Sequence, residues 1–327
     1  MRVVLFGAGA TGARIARILN SDERITSIRV TDSSAARRVE VASSLGLKAT
    51  SSNSSDIGKA TDLVVVATPM GSQIGLARKA IQAGTPVVTT TCETTEVQAL
   101  LSIREEAQFQ NVPLIVSAGF MPGLTCLLAR LGADKLSYVD EIHVAKFGTG
   151  GPACARQHHK ALSSSAIDWR DGRWVRRIGG SGRELCWFPE PVGGLDCYRG
   201  GLPDALLLVP EFSGVCRVTA RMAATRRDRF TAFLPMLRRP HPEGLVGAIR
   251  VEVRGWKGTE RRVLMFGVQC CPAEVTAIVA ASTALHILDA DNEVEAGARG
   301  LAGIRSHRRL LLSIVGRGVW LECFEGA

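Results

Sequence analysis

Arg2-Val3-Val4-Leu5-Phe6-Gly7-Ala8-Gly9-Ala10-Thr11-Gly12 opens the chain with an apolar strand that runs straight into a glycine-rich turn. Beyond it Ile15, Ala16, Ile18 and Leu19 recur at helical spacing, and a second apolar strand, Ile28-Arg29-Val30, leads to Asp32. Strand, turn, helix, strand and terminal acid, with the acid about twenty residues past the last glycine, make up a dinucleotide-binding unit. Gly7 permits the tight turn, Gly9 lets a pyrophosphate approach the backbone, and Gly12 lets the helix lie close to the strand. The N–H groups of Ala10, Thr11 and Gly12 then face the phosphates at the positive end of the helix dipole.

Working outward, the same rhythm continues. A helical stretch contains Arg37, Val39, Val41 and Leu45, and the polar segment from Ser51 to Asp56 reads as a connection. Leu63-Val64-Val65-Val66-Ala67 is a continuous apolar run, as in a parallel strand covered on both faces. A helix through Ile74, Ala77, Ala80 and Ile81 follows, then the strand Pro86–Thr89, a helix from Glu96 to Gln108, and the strand Val112–Val116. The pattern predicts an α/β fold, a Rossmann-type doubly wound parallel sheet over residues 1–138. Past Val139 strand-like stretches at 141–147, 214–222, 247–255 and 261–268 occur without matching helices. They predict a second α+β domain over residues 139–272 with a mostly antiparallel sheet, interrupted by an irregular insertion from Gly148 to about Pro210. Residues 273–327 read as C-terminal helices, Ala273–Leu288 and Arg308–Ile314, that pack back on the first domain.

Bulk composition narrows the function classes. The chain has 327 residues, 46% apolar and 22% charged, which fits a globular enzyme with a substantial core. Its formal charge of +9 comes from scattered basic residues, mostly arginine, with no aromatic-interleaved stripe or recognition helix, so no nucleic-acid partner is expected. The nine cysteines have no CxxC spacing and indicate a reduced, cytoplasmic protein. No metal is expected, because no cluster has ligand spacing. Met1-Arg2 leads directly into the first strand and no apolar run reaches about eighteen residues, so neither a signal peptide nor a membrane partner is expected.

Four stretches, GAGATGARIARIL, VVVATPMGS, SAGFMPGLTCLLAR and GLAGIRSHRRLLLSIVGRGVWLE, resemble the saccharopine dehydrogenase family in its broad sense, the saccharopine reductase-like NAD(P)-binding oxidoreductases. The resemblance is firm over residues 1–135 and 273–322 and loose between. It implies that the turn Gly119-Phe120-Met121-Pro122-Gly123 lies beside the nicotinamide and substrate, with Gly119, Phe120 and Pro122 toward the cofactor and Met121 and Gly123 toward the substrate. It carries over the fold and a nicotinamide cofactor, not the substrate.

Several residues carry the expected chemistry. Asp32 would bridge the adenosine ribose hydroxyls and favours NAD slightly, whereas Ser33 and Arg37, with Ser34 and Arg38, could accommodate the extra phosphate of NADP. Thr68 and Pro69 after the fourth strand, and Cys92 and Glu93 after the fifth, lie at the carboxyl edge where such sheets bind ligands. Glu93 is either a substrate contact or the cap of the next helix. In the second domain Lys146, His158, His159 and Lys160 are the candidate proton donors for hydride transfer, with solvated positions on a helix face as the alternative. Arg156 and Arg199 are candidate carboxylate clamps.

These readings predict an NAD(P)-dependent oxidoreductase acting at a C–N centre of a small amino-acid-like substrate, with the cofactor in a cleft between domains and at least one of the four donors within reach of the nicotinamide. The alternatives are a biosynthetic carbonyl dehydrogenase or reductase, and a catalytically silent NAD(P)-binding sensor. A homodimer is expected, since second-domain sheets of this kind pair across a dimer.

Overall fold

The computed structural model describes residues 1–325 apart from Lys59, Leu237, Arg238, Asn292 and Glu293. The chain divides into two compact units, Met1–Gly119 with Glu274–Ile314, and Phe120–Ala273 with Val315–Ala327.

In the first unit β1 (Arg2–Phe6) buries Val3, Val4, Leu5 and Phe6, and α1 (Ala10–Asn20) buries Gly12, Ile15, Ala16 and Leu19 along one stripe. Then come β2 (Ser27–Thr31), α2 (Ala35–Ser44), β3 (Ala49–Ser52), β4 (Leu63–Val66), α3 (Gln73–Gln82), β5 (Val87–Thr89), α4 (Thr94–Ser102), α5 (Arg104–Phe109) and β6 (Pro113–Ile115). Strand order is β6-β5-β4-β1-β2-β3 with every pair parallel, so the order reverses between β4 and β1. Ligands bind outside the carboxyl ends at such a reversal. All four residues of β4 are fully buried, as its unbroken apolar run required.

Two expectations are corrected here. Residues read as the start of a connection lie in β3, which pairs with β2 from Ile28↔Ala49 to Thr31↔Ser52; the strand is polar and partly exposed because it forms the sheet edge. The helix expected over 96–108 breaks at Ile103 into α4 and α5.

The second unit contains α6 (Leu124–Ala133), β7 (Tyr138–Phe147), α7 (Pro152–Ala161), β8 (Ala166–Arg170), β9 (Arg173–Arg177), β10 (Glu184–Trp187), β11 (Gly194–Arg199), α8 (Asp204–Leu208), β12 (Arg217–Ala223), α9 (Arg226–Thr231), β13 (Gly247–Lys257) and β14 (Glu260–Cys270). Its sheet runs β10-β11-β12-β7-β13-β14, with β8 attached to β12 and β9 to β8, and its pairings are antiparallel except β12 with β7. The stretch from Gly148 to Pro210, expected to be irregular, is in fact built of α7, β8 to β11 and α8, whose short strands carry too few apolar residues to announce themselves.

Alternation divides this sheet sharply. Ile142, Val144 and Lys146 of β7 share one face with Val218, Ala220 and Met222 of β12 and with Ile249, Val251 and Val253 of β13. That face is apolar and helix-covered: a Cβ on Gly132 of α6 would lie 2.9 Å from Val253 Cγ2, so only glycine allows this approach. The opposite face carries Glu141, His143, Thr219, Arg221 and Glu252, held by internal bonds such as His143 Nε2 to Glu141 Oε2 at 2.8 Å.

α10 (Pro272–Ile287) begins in the second unit and continues in the first, with Val275, Ala277, Val279, Ala280, Ala281 and Ala284 wholly buried, a helix apolar all round. β15 (Gly297–Arg299) adds a seventh parallel strand to the first sheet beside β6, α11 (His307–Val315) follows, and β16 (Glu322–Glu325) joins the second sheet on β14. Neither strand was anticipated from the sequence. Among the described residues no helix is long and apolar enough to cross a membrane.

Candidate functional site

The glycine turn forms a cradle with an open floor. Gly7 has φ +103°, and a Cβ there would lie 2.4 Å from the Ala67 carbonyl oxygen; a Cβ on Gly12 would lie 1.9 Å from that of Gly7. Gly9 differs, because a Cβ there meets nothing within 4 Å. Gly7 and Gly12 therefore serve the packing of α1 on its strand, whereas Gly9 leaves space for a ligand. Gly9 is also the N-cap of α1 and offers no side-chain cap, so the first N–H groups of the helix, Ala10 and Thr11 among them, have no intrahelical acceptor. These residues fit a dinucleotide pyrophosphate.

Asp32 is tied into this turn. Its Oδ2 accepts from Ala8 N–H at 2.8 Å, and its Oδ1 accepts from Ser34 N–H at 2.8 Å and from Arg37 Nη2 at 3.0 Å. Burial alone would raise its pKa, but the two amides and the Arg37 guanidinium outweigh it and hold the carboxyl below the usual range. A cavity of about 550 Å³ opens beside it, lined by Asp32, Ser33, Arg38, Thr68, Ser72 and Lys79 among others. It opens at the carboxyl ends of β2 and β4, where sheets of this topology bind ligands.

A residue that the sequence reading passed over organises the neighbouring edge. Glu96 on α4 is 5% exposed, and its Oε1 accepts from the N–H groups of Gly71 and Gln73 at 2.9 Å each while Oε2 accepts from Thr91 Oγ1 at 2.8 Å. Gln73 Nε2 in turn donates to the Thr68 carbonyl at 2.7 Å, and Ser72 Oγ to Thr68 Oγ1 at 2.8 Å, which fixes the turn through Pro69. Glu93 caps α4: its Oε2 accepts from Glu96 N–H at 2.7 Å and from the Thr95 hydroxyl. Cys92, just before it, is partly buried. In the turn after β6, Ser117 has φ +64° and Gly119 N–H donates to its carbonyl at 2.9 Å; Phe120, Met121 and Pro122 are buried, and Gly123, φ +128°, is the N-cap of α6.

The four candidate donors separate. Lys146 is 5% exposed on the apolar face of the second sheet, and His158 lies within its electrostatic reach. The Nδ1 of His158 is shielded and makes no hydrogen bond. Burial, with the Lys146 charge, pushes its pKa well below the ordinary value, and it is neutral. His159 is turned the other way, with Nε2 bonded to the carbonyls of Thr231 and Leu234 at 3.0 and 3.1 Å, and Lys160 is exposed. Arg156 is exposed, and Arg199 is engaged by Asp168, Nε to Oδ2 at 2.7 Å. Trp169 and Trp174 pack edge to face at 4.9 Å.

Asp204, which the sequence reading did not select, lies within electrostatic reach of Lys146. It is wholly buried at the start of α8; Thr125 Oγ1 donates to its Oδ1 at 2.8 Å, while Oδ2 makes no hydrogen bond. Burial raises its pKa to about 6 against the opposing Thr125 bond and Lys146 charge. An acid at the start of an apolar helix, Pro203-Asp204-Ala205-Leu206-Leu207-Leu208, reads as an ordinary first-turn acid, and only the wholly apolar run after it signals burial.

Comparison with known proteins adds to this geometry. Residues 1–117 match the family described as "Oxidoreductase family, NAD-binding Rossmann fold". Comparison with curated protein sequences gives no match. Among solved structures, apo saccharopine dehydrogenase (L-Glu forming) from Saccharomyces cerevisiae is similar over 100% of both chains at 14% identity, with a TM-score of 0.75. The DAP dehydrogenase of C. glutamicum in complex with DAP is similar over 98% of this chain and 99% of its own at 13% identity, with a TM-score of 0.54. A putative myo-inositol dehydrogenase from Sinorhizobium meliloti 1021 is similar over 100% of both chains at 10% identity, with a TM-score of 0.50. Residues 1–117 thus match the model of an NAD-binding Rossmann oxidoreductase family, and the chain shares the fold of the yeast saccharopine dehydrogenase.

Proposed function

We propose that this NAD(P)-dependent oxidoreductase transfers hydride at a C–N centre of a small amino-acid-like substrate. The observation that carries the reading is the grouping of Lys146, neutral His158 and the buried carboxyl of Asp204 in the second unit. Hydride transfer needs a proton delivered or removed as the hydride moves, and a lysine beside a histidine supplies one. A buried carboxyl favours a cationic nitrogen over a neutral carbonyl, which ranks an iminium or amine above a ketone or alcohol. The resemblance to saccharopine dehydrogenases points the same way.

The division of labour follows from the chain itself. When bound, the nicotinamide supplies the two-electron step. Gly9 and the first N–H groups of α1 hold the pyrophosphate, Asp32 orients the ribose with Arg37 and Ser33 beside it, and the turns at Thr68-Pro69, Cys92 and Gly119-Phe120-Met121-Pro122 frame the remainder. Lys146 gives or takes the proton. Arg156 and Met121 remain candidates for the substrate's carboxylate and carbon chain. The exposed Leu185 and Trp187 on the edge strand β10 support a homodimer through this unit, checked by light scattering.

Fluorescence titration with NADH and separately NADPH, on wild type and Gly9→Asp, tests the cofactor half. Binding lost in the variant is the expected result. Turnover at 340 nm with a panel of L-amino acids against the matched 2-hydroxy acids then tests the C–N half. Turnover of the hydroxy acids alone would favour a carbonyl dehydrogenase, and cofactor binding without any turnover a silent sensor.

A further inference from the structure

Both oxygens of Asp32 are already engaged inside the chain. An ionised carboxylate has about four acceptor positions. Three are filled here, one on Oδ2 by Ala8 N–H at 2.8 Å and two on Oδ1 by Ser34 N–H at 2.8 Å and Arg37 Nη2 at 3.0 Å. One position remains, enough for a single ribose hydroxyl but not for the two that an adenosine ribose with free 2′ and 3′ hydroxyls presents. The Arg37 guanidinium also balances the charge that would repel an anion at this end of the ribose.

The rest of the cavity wall is basic. Ser72, the N-cap of α3, and Gly75, Leu76 and Lys79 within it follow the spacing i, i+3, i+4 and i+7, so one stripe of the helix carries Lys79 to the cavity. Arg38 reaches the same cavity from α2, and Ser33 from the turn between β2 and α2. Arg38 Nη1 donates to the Asp32 carbonyl at 3.1 Å, and Lys79 Nζ to Ser55 Oγ at 2.8 Å. Among the described residues neither cation forms an ion pair, and Asp32 is the only carboxylate in the wall. Two cations without a counter-charge and a hydroxyl therefore surround one acid that is already paired.

We propose that this cavity takes the 2′-phosphate of NADP(H): Arg38 and Ser33 hold the phosphate, Lys79 adds attraction from α3, and the free position on Asp32 keeps the 3′-hydroxyl. The inference rests on the reading of the chain as a dinucleotide-dependent oxidoreductase and names its cofactor, against the slight preference for NAD that the position of Asp32 in the sequence suggests. A guanidinium directs two parallel N–H bonds to phosphate oxygens, and the Ser33 hydroxyl supplies a third donor. NADH brings neither charge nor phosphate oxygens to this end of the cavity, so Arg38 and Lys79 gain nothing from it.

Fluorescence titration of the full-length protein with NADPH, and separately NADH, tests this in about 50 mM salt, where charges are little screened. NADPH is expected to bind at least roughly tenfold more tightly. Arg38→Gln, which keeps an N–H for the Asp32 carbonyl, should bring the ratio of the two affinities close to one. Lys79→Ala should weaken NADPH by about threefold, and that loss should vanish in about 0.5 M salt. Displacement of bound NADPH probes the pocket without the nicotinamide, and adenosine 2′,5′-bisphosphate should compete at least roughly tenfold better than 5′-AMP. If Arg38→Gln does not fold, Ser33→Glu, at an exposed position, sets a carboxylate at the same end of the cavity and should reverse the preference. NADPH binding no tighter than NADH, or a preference unchanged in these variants, overturns the inference and leaves the oxidoreductase reading standing. Binding of neither cofactor overturns both.

Discussion

The amide of Ala8 donates to Asp32 Oδ2 at 2.8 Å, so the acid that ends β2 is bonded directly to the glycine turn that ends β1. Asp32 therefore shapes the cradle in addition to the ribose contact proposed for it. Its pKa lies below the usual range in the fold, so its stabilisation is present above the ordinary carboxylate pKa and disappears as pH falls through the lowered value. Asp32→Asn is expected to cost about 1.5–3 kcal/mol at pH 7, the worth of charge-assisted hydrogen bonds. Urea unfolding at pH 7 and pH 3 checks this, with the two proteins converging at the lower pH.

Gly9 and Gly12 separate binding from folding. Gly9→Ala places its Cβ in open space and is expected to change stability by less than about 1 kcal/mol while weakening NADH or NADPH binding at least roughly tenfold. Gly12→Ala drives its Cβ to 1.9 Å from a backbone oxygen and is expected to destabilise the first unit by about 3 kcal/mol or more. Circular-dichroism melts and fluorescence titration on both variants distinguish the roles.

Only part of the basic cluster is expected to matter for turnover. Lys146→Ala should lower kcat by about 10²–10⁴-fold, the range of general acid–base catalysis, whereas Lys160→Ala should stay within roughly twofold. His159→Ala breaks contacts to Thr231 and Leu234 and should show in stability rather than rate. Steady-state kinetics on the first amino acid turned over, with melts alongside, gives the split.

Asp204 carries a stability cost that its removal should reveal. The folded chain keeps the Asp204 proton up to about pH 6 while the unfolded chain releases it near the ordinary 3.8. Between those values the native state binds more protons, so stability falls as pH rises and then levels off above the folded pKa. Asp204→Asn, which retains an oxygen for Thr125, is expected to be more stable than wild type at pH 7.5 by up to about 3 kcal/mol and no more stable at pH 4. Equal stability at both pH values would mean the carboxyl is not raised.

Glu96→Ala strips acceptors from two backbone amides and the Thr91 hydroxyl inside the sheet edge. The expected loss is about 3–5 kcal/mol, with Glu96→Gln milder because Oε1 can be kept. Hydrogen exchange at Gly71 and Gln73 should rise in the alanine variant more than at α1, which lies outside this bond set.

What could be read in the sequence was what repeats locally. The glycine turn, the apolar run at Leu63–Val66 and the hairpin of β13 and β14 each have a period or a turn that names them. The strand Ala49–Ser52 has neither, because an edge strand can be polar. The parallel pairing of β12 with β7 joins residues far apart in the chain, and no local pattern encodes a partner. At the candidate site Lys146 and His158 were visible as residues suited to proton transfer. Asp204 and Glu96 were not, because each looks like the first-turn acid of a helix and is set apart only by what closes over it.

The three residues of β15 give the first sheet a dependence on synthesis order. Gly297, Ala298 and Arg299 pair with Pro113, Leu114 and Ile115, and nearly two hundred residues separate the two strands in the chain. On the ribosome β6 emerges long before its outer neighbour, and its unpaired backbone groups are open to pairing with another chain for the whole of that interval. A nascent chain stalled before residue 297 is therefore aggregation-prone at this edge.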